Sequence, residues 1–246
     1  MISIPKKLGV CPIVEAIFEV RFEPSVASNA VFPILYGAFR NDFPNIEHII
    51  PIAQMPMTVV ENDQNLRFQP HYRMRHREHN NILVQIGPRV LTVNMLQPYE
   101  GWEVLFEYIK RYFQLLKDAG IISGVIRVGF RVVNFFNNDI FKKGLNLRLT
   151  INGKDIPYLD TAVKTVFKED IYSSTVNILN SAQLNSTIGL APKIGSVVDV
   201  DTYFTDCSQF LRTYVEYLSR IHRIEKEVFY SLFTNEFIES MEPIYE

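Results

Sequence analysis

Between Pro12 and Phe22 the chain reads PIVEAIFEVRF, and apolar and polar positions alternate almost without a break. Val14, Ala16, Phe18, Val20 and Phe22 fall on one parity. Glu15, Glu19 and Arg21 fall on the other, with Ile17 among them. Successive side chains of a strand point to opposite faces, so this pattern predicts a strand with one oily face and one charged face. Two later stretches repeat the design. In GVIRVGFRVVNFF (124–136), Ile126, Val128, Phe130 and Val132 share one face and Arg127 and Arg131 stand opposite. In GSVVDVDTYF (195–204), Asp199 and Asp201 share the charged side.

Helical spacing marks other segments. In YEGWEVLFEYIKRYFQLLKDAG, Trp102, Leu105, Phe106, Ile109, Phe113 and Leu116 form one stripe, and Gly120 is a natural stop. SVASNAVFPILYGAFRNDFP offers a Ser or Asn cap before Val31, Ile34, Leu35, Ala38 and Phe39, with Pro33 expected in the first turn and Pro44 ending the element. A long helix is predicted from about 207 to 235 on Phe210, Leu211, Tyr214, Leu218, Ile221, Ile224, Val228, Phe229 and Leu232, with a short helix capped by Thr234 after it.

Residues 57–62 and 65–74 read as a hairpin around NDQN, HREHNN (76–81) as a polar turn, and ILVQIGPRVLTVNML as two strands joined at Gly87-Pro88. LNLRLTI (145–151) and YSSTVNIL (172–179) read as strands, with loop and short helix between them. QLNSTIGLA (183–191) pairs with GSVVDVDTYF around Pro192 to Gly195.

These elements predict an α+β protein: a large, mainly antiparallel twisted sheet with long helices packed on its apolar face. Strands 14–22 and 126–132, long and fully apolar on one side, belong at its centre. The order strand, helix, strands, long helix over 12–118 is echoed over 123–235. Halves 1–120 and 121–246 therefore read either as two tandem related units or as unrelated parts of one continuous domain, and the sequence leaves both open.

At 246 residues, 47% hydrophobic and 21% charged, the chain can bury a substantial core. Its net charge is -2, without the basic excess of most nucleic-acid binders, so nucleic acid is possible as a partner and not favoured. Cys11 and Cys207 are its two cysteines, which excludes a disulfide framework or thiolate cage. Neither has a histidine or helical setting that would make it a nucleophile. The start makes a poor signal peptide and no run of about 18 apolar residues follows, so a cytoplasmic, non-membrane protein is expected. GxSxG, HExxH, P-loop and GxGxxG motifs are all missing, and no cofactor is implied.

Candidate chemistry rests on the charged strand faces. Glu15, Glu19, Arg21, Arg127 and Arg131 belong on one side of the sheet, with at least one acid–arginine contact among them. That face serves as a solvated surface, as a groove for a ligand, or as a buried dimer contact; spacing alone leaves all three standing. RFQPHYRMRHREH (67–79) adds Arg73 and Arg75 to the anion-binding candidates. His71, His76 and His79 lack a recognised metal-ligand spacing and read as a solvated strand edge and turn. Asp199 and Asp201, two apart, are metal-ligand candidates, with Glu15 and Glu19 as further carboxylates. His222 reads as a buried or boundary histidine.

PIVEAIFEVRF, YEGWEVL, RVGFRVVN, VVDVDTY and RIHRIEKEVFYSLFT together resemble a sporadically distributed, uncharacterised bacterial protein family of about this length. The resemblance spans nearly the whole chain but not HYRMRHREH. It implies a bacterial cytoplasmic protein and brings no catalytic residues; patchy distribution suits horizontally exchanged genes such as defence or toxin–antitoxin modules. The function read from the residues is a non-catalytic binding or interaction module. It acts as a homodimer, or on a partner protein or anionic ligand, with HYRMRHREH and the tail FIESMEPIYE as contact segments. The alternative is a metal-dependent phosphoryl-transfer or nucleotide-hydrolysing enzyme using the acidic and arginine-lined sheet face.

Overall fold

The computed structural model describes residues 4–142, 144–184 and 193–245. In chain order its elements are β1 (Lys7–Leu8), β2 (Ile13–Pro24), α1 (Ser28–Phe39), β3 (Ile46–Ile49), a 3-10 turn (Pro51–Gln54), α2 (Met57–Asn62), β4 (Tyr72–Arg75), β5 (Ile82–Gly87) and β6 (Val90–Leu96). There follow α3 (Trp102–Asp118), β7 (Ile122–Phe136), β8 (Thr150–Ile151), β9 (Lys154–Asp155), β10 (Ala162–Glu169), β11 (Tyr172–Leu184), β12 (Lys193–Phe204), α4 (Phe210–Ser231), α5 (Asn235–Glu239) and β13 (Pro243–Ile244). The protein is α+β. Among the described residues, nine strands form one antiparallel sheet in the order β10-β11-β12-β7-β2-β6-β5-β4-β3. The two long alternating strands, β7 and β2, lie at its centre, as their apolar faces require.

The chain divides into two compact units whose residues interleave. The first comprises Glu15–Phe130 and Tyr203–Ser219. Its β2 pairs with β6, Phe18 opposite Val93 and Glu19 opposite Thr92, and β6 pairs with β5 across the Pro88-Arg89 turn. On one parity Phe18, Val20, Phe22, Val84, Ile86 and Val93 are fully buried. Phe113 of α3 meets Phe18 edge-on at 6.2 Å, and Tyr112 meets Phe39 of α1 at 5.6 Å. Each such side chain, fully buried, contributes roughly 1.5–3 kcal/mol. Gly120, at φ +65, ends α3 in the left-handed conformation that suits glycine.

The second unit comprises the described residues of Met1–Val14, Arg131–Thr202 and Arg220–Glu246. Its core holds Phe136, Val176, Ile178, Val198, Val200, Phe229 and Phe233, with Phe136 and Phe233 5.5 Å apart. Thr234 caps α5 as expected, its side chain accepting from the Phe237 N–H. β1 pairs with β13, which ties the tail to the start of the chain.

Several expectations need correcting. Residues 57–62 form helix α2 and not a strand, and residues 63–71 are turn and loop, so the predicted hairpin reduces to β4. MTVVEN is too short for its β-branched residues to decide the matter, and the Pro56 start and Val60 burial favour one helical turn. α1 begins at Ser28, whose hydroxyl goes to Glu61 at 2.5 Å and does not cap; Pro33 therefore falls inside the helix. Of 145–151 only Thr150 and Ile151 are strand. The segment assigned to loop and short helix contains β10, held in register by β11 from Ala162 opposite Leu179 to Glu169 opposite Tyr172. The strand expected over 183–191 falls mostly outside the described residues.

Candidate functional site

The charged parity of β2 is satisfied from its own surroundings. Thr92 donates to Asn94 at 2.6 Å, and Asn94 donates to Glu15 at 2.7 Å. Glu19 accepts from Arg21 Nε at 2.7 Å and also pairs with Arg127. The Arg127 guanidinium lies 4.3 Å from the Tyr203 ring centroid. Glu19 thus sits between two guanidinium groups and is only 19% exposed. The expected acid–arginine contact between β2 and β7 is present, and it lies within one unit.

Arg131 belongs to the other unit. It makes a bidentate contact with Asp199, Nε to Oδ1 at 2.7 Å and Nη2 to Oδ2 at 2.9 Å. Asn177 adds a third hydrogen bond to Oδ2 at 3.3 Å. With Arg131 47% exposed, this pair is of the kind worth at most about 1 kcal/mol. Asp201 follows on the same face of β12, half-buried. Among the described residues no group of three or more His, Cys, Asp or Glu side chains is gathered closely enough to hold a metal.

The segment 71–79 is less exposed than its composition suggests. His71 is 4% and His76 6% exposed, which corrects the solvated reading for these two, while His79 is exposed as expected. His76 Nδ1 accepts the N–H groups of Glu78 and His79, and its ring stands edge-on to Phe43 at 5.4 Å. Burial lowers the pKa of both histidines. Arg75 is held by Glu47 at 2.8 Å and by the Asn80 carbonyl. Arg73, Gln85, Thr92 and Glu19 occupy opposed positions on β4, β5, β6 and β2, so a polar row crosses this part of the sheet.

Two features escaped the sequence reading. The first is Glu23 with Arg89, beside that row. Arg67 Nη2 contacts Glu23 at 3.0 Å, Arg89 pairs with the other oxygen of Glu23, and the Phe68 ring lies between Arg67 and Arg21, at 5.0 and 5.4 Å. Arg89 directly follows Gly87-Pro88 in a turn, which was its available signal. The second is Glu225, 4% exposed on α4, whose pKa burial pushes up to about 8 against the smaller opposing effect of Lys226. Its spacing with Ile221 and Phe229, i and i+4, placed it on the apolar stripe. One turn earlier, burial and then Lys226 push the His222 pKa down to about 3. Burial raises both thiols as well, Cys207 to about 11, so neither resembles an activated nucleophile.

The chain matches no protein-family model, and a search of curated proteins gives no significant match. Among the described residues no helix is long and apolar enough to cross a membrane.

Proposed function

We propose that the protein is a non-catalytic interaction module whose working contact is the sheet edge formed by β10, with a second copy of the chain as partner. The observation that carries this is the state of the strand. Nearly every residue from Ala162 to Glu169 is exposed, Val166 is 48% and Phe167 44% accessible, and β10 is the terminal strand of the sheet. An unpaired strand edge is a template for another strand, and solvent-facing apolar side chains favour covering it. The neighbouring Ile171 and Leu179 are exposed as well, at 38% and 40%.

A two-fold axis normal to the sheet pairs β10 with its copy antiparallel and keeps the faces matched. Centred on Phe167, that register sets Phe167 against itself, Val166 against Lys168 and Thr165 against Glu169 of the second copy. Centred on Val166 it would oppose Lys164 and Lys168, a repulsion that selects the first alternative. The carboxylates on the sheet's charged side support a non-catalytic reading too. Glu15, Glu19 and Asp199 are each held by neighbouring side chains, as structural carboxylates are.

Light scattering across the micromolar range tests this. The expected mass is twice 28.5 kDa. Val166→Lys with Phe167→Lys should give a folded monomer, while Arg73→Glu with Arg75→Glu should leave the dimer intact. A mass of 28.5 kDa at every concentration, or a dimer that survives the β10 substitutions, overturns the proposal.

A further inference from the structure

In the first unit, Glu23, at the end of β2, lies in a fork made by two arginines from different parts of the chain. Arg67 comes from the loop after α2 and Arg89 from the turn between β5 and β6. The arrangement is built into the backbone. The Phe22 N–H donates to the Arg89 carbonyl at 3.0 Å, and a Cβ on Gly87 would collide with the Gln69 carbonyl, so loop and turn lie against one another.

The charges do not balance. Two guanidinium groups face one carboxylate, which leaves a local charge of +1. Hydrogen bonding does not balance either: the Nε atoms of Arg67 and Arg89 are buried with no acceptor. Folded proteins leave few such donors, because an unmade hydrogen bond to a buried charged group carries its full desolvation penalty. Glu23 itself is 40% exposed, against 16% for Arg89 and 31% for Arg67, so it is the member able to turn out to solvent. A planar carboxylate offers two oxygens; a phosphate group offers at least three, arranged tetrahedrally, and arginine forks match that geometry.

We infer that the Arg67–Arg89 fork is a binding site for a phosphate group, and that Glu23 occupies it in the free protein as an internal substitute. The bound phosphate displaces the Glu23 carboxylate, takes up both guanidinium forks, and supplies acceptors to the Nε donors that Glu23 leaves unmet. Phe68, between Arg67 and Arg21, holds the Arg67 guanidinium in place through its ring face. This site is independent of the β10 contact, which belongs to the other unit.

Calorimetric titration of the full chain with inorganic phosphate, at ionic strength held constant with chloride, tests the inference. Three proteins are compared: wild type, Glu23→Gln, and Arg67→Lys with Arg89→Lys. Glu23→Gln removes the competing charge and should tighten phosphate binding by about tenfold, whereas the double lysine variant keeps the charge, loses the forks and should weaken it by about tenfold. Circular dichroism confirms that each is folded. Phosphate heats indistinguishable from chloride in both wild type and Glu23→Gln overturn the inference, and the Gln variant leaves both arginines in place. Equal affinity in the wild type and lysine variants also overturns it, because a diffuse positive field would then explain the binding.

Discussion

At the scale of single residues, position in the fold has shifted the chemistry of several side chains. Glu225 is the clearest. Its folded pKa, about 8, lies above its ordinary value of 4.5, so the stability it contributes is full below pH 4.5 and is lost as pH rises toward 8. His222 acts in the opposite direction: its pKa falls to about 3, so its contribution is full above the ordinary value of 6.5 and is lost as pH falls. The two effects separate above pH 7, where His222 is neutral in both states. Urea unfolding should show wild type losing stability from pH 7 to 9, while Glu225→Gln stays level and is the more stable protein at pH 9. Most of the loss lies below pH 7, so the change over this interval is on the order of 1 kcal/mol. Wild type and variant with parallel profiles would mean that Glu225 is solvated. Gly195 gives a second test at this scale. A Cβ there would overlap the Phe136 carbonyl oxygen and crowd the Phe135 ring at 2.8 Å. Gly195→Ala should cost about 2–3 kcal/mol by thermal or chemical unfolding.

At the scale of elements, some of the fold was legible and some was not, for identifiable reasons. β2 was legible because every second residue from Ala16 to Phe22 is buried, and β7 because Val128, Phe130 and Val132 are buried on one parity while Arg127 and Arg131 stand opposite. α3 was legible because a single stripe of large apolar residues runs its length and Gly120 ends it. α5 could be read from its cap. Thr234→Ala should cost about 1 kcal/mol, because the Phe237 N–H then loses its side-chain acceptor. β10 was not legible: with almost every residue exposed, no buried face imposed a pattern, and pairing with β11 holds it extended. α2 failed for a related reason. Six residues are too few to show a period, and Thr58, Val59 and Val60 carry strand propensity that local packing overrides.

At the scale of the whole molecule, an interaction through backbone pairing and apolar side chains should respond little to salt. Raising ionic strength should leave the proposed dimer intact or strengthen it, whereas one held by Arg73 and Arg75 would dissociate. Sedimentation in low and high salt separates the two. The sequence by itself determined the class of fold, the central strands, the long helix α3, and the side of the sheet on which Glu19 and Arg127 meet. These follow from periodicity, because water excludes an apolar face wherever it occurs along the chain. Only the tertiary structure decided which charges meet. Glu19 chose Arg21 and Arg127, Asp199 chose Arg131, and Glu23 came to lie between Arg67 and Arg89, residues separated by as many as 66 positions from it. Ion pairing of this kind depends on distance in space and leaves no period in the chain. The same holds for burial of His71 and His76, polar side chains whose surroundings were supplied by segments remote in sequence.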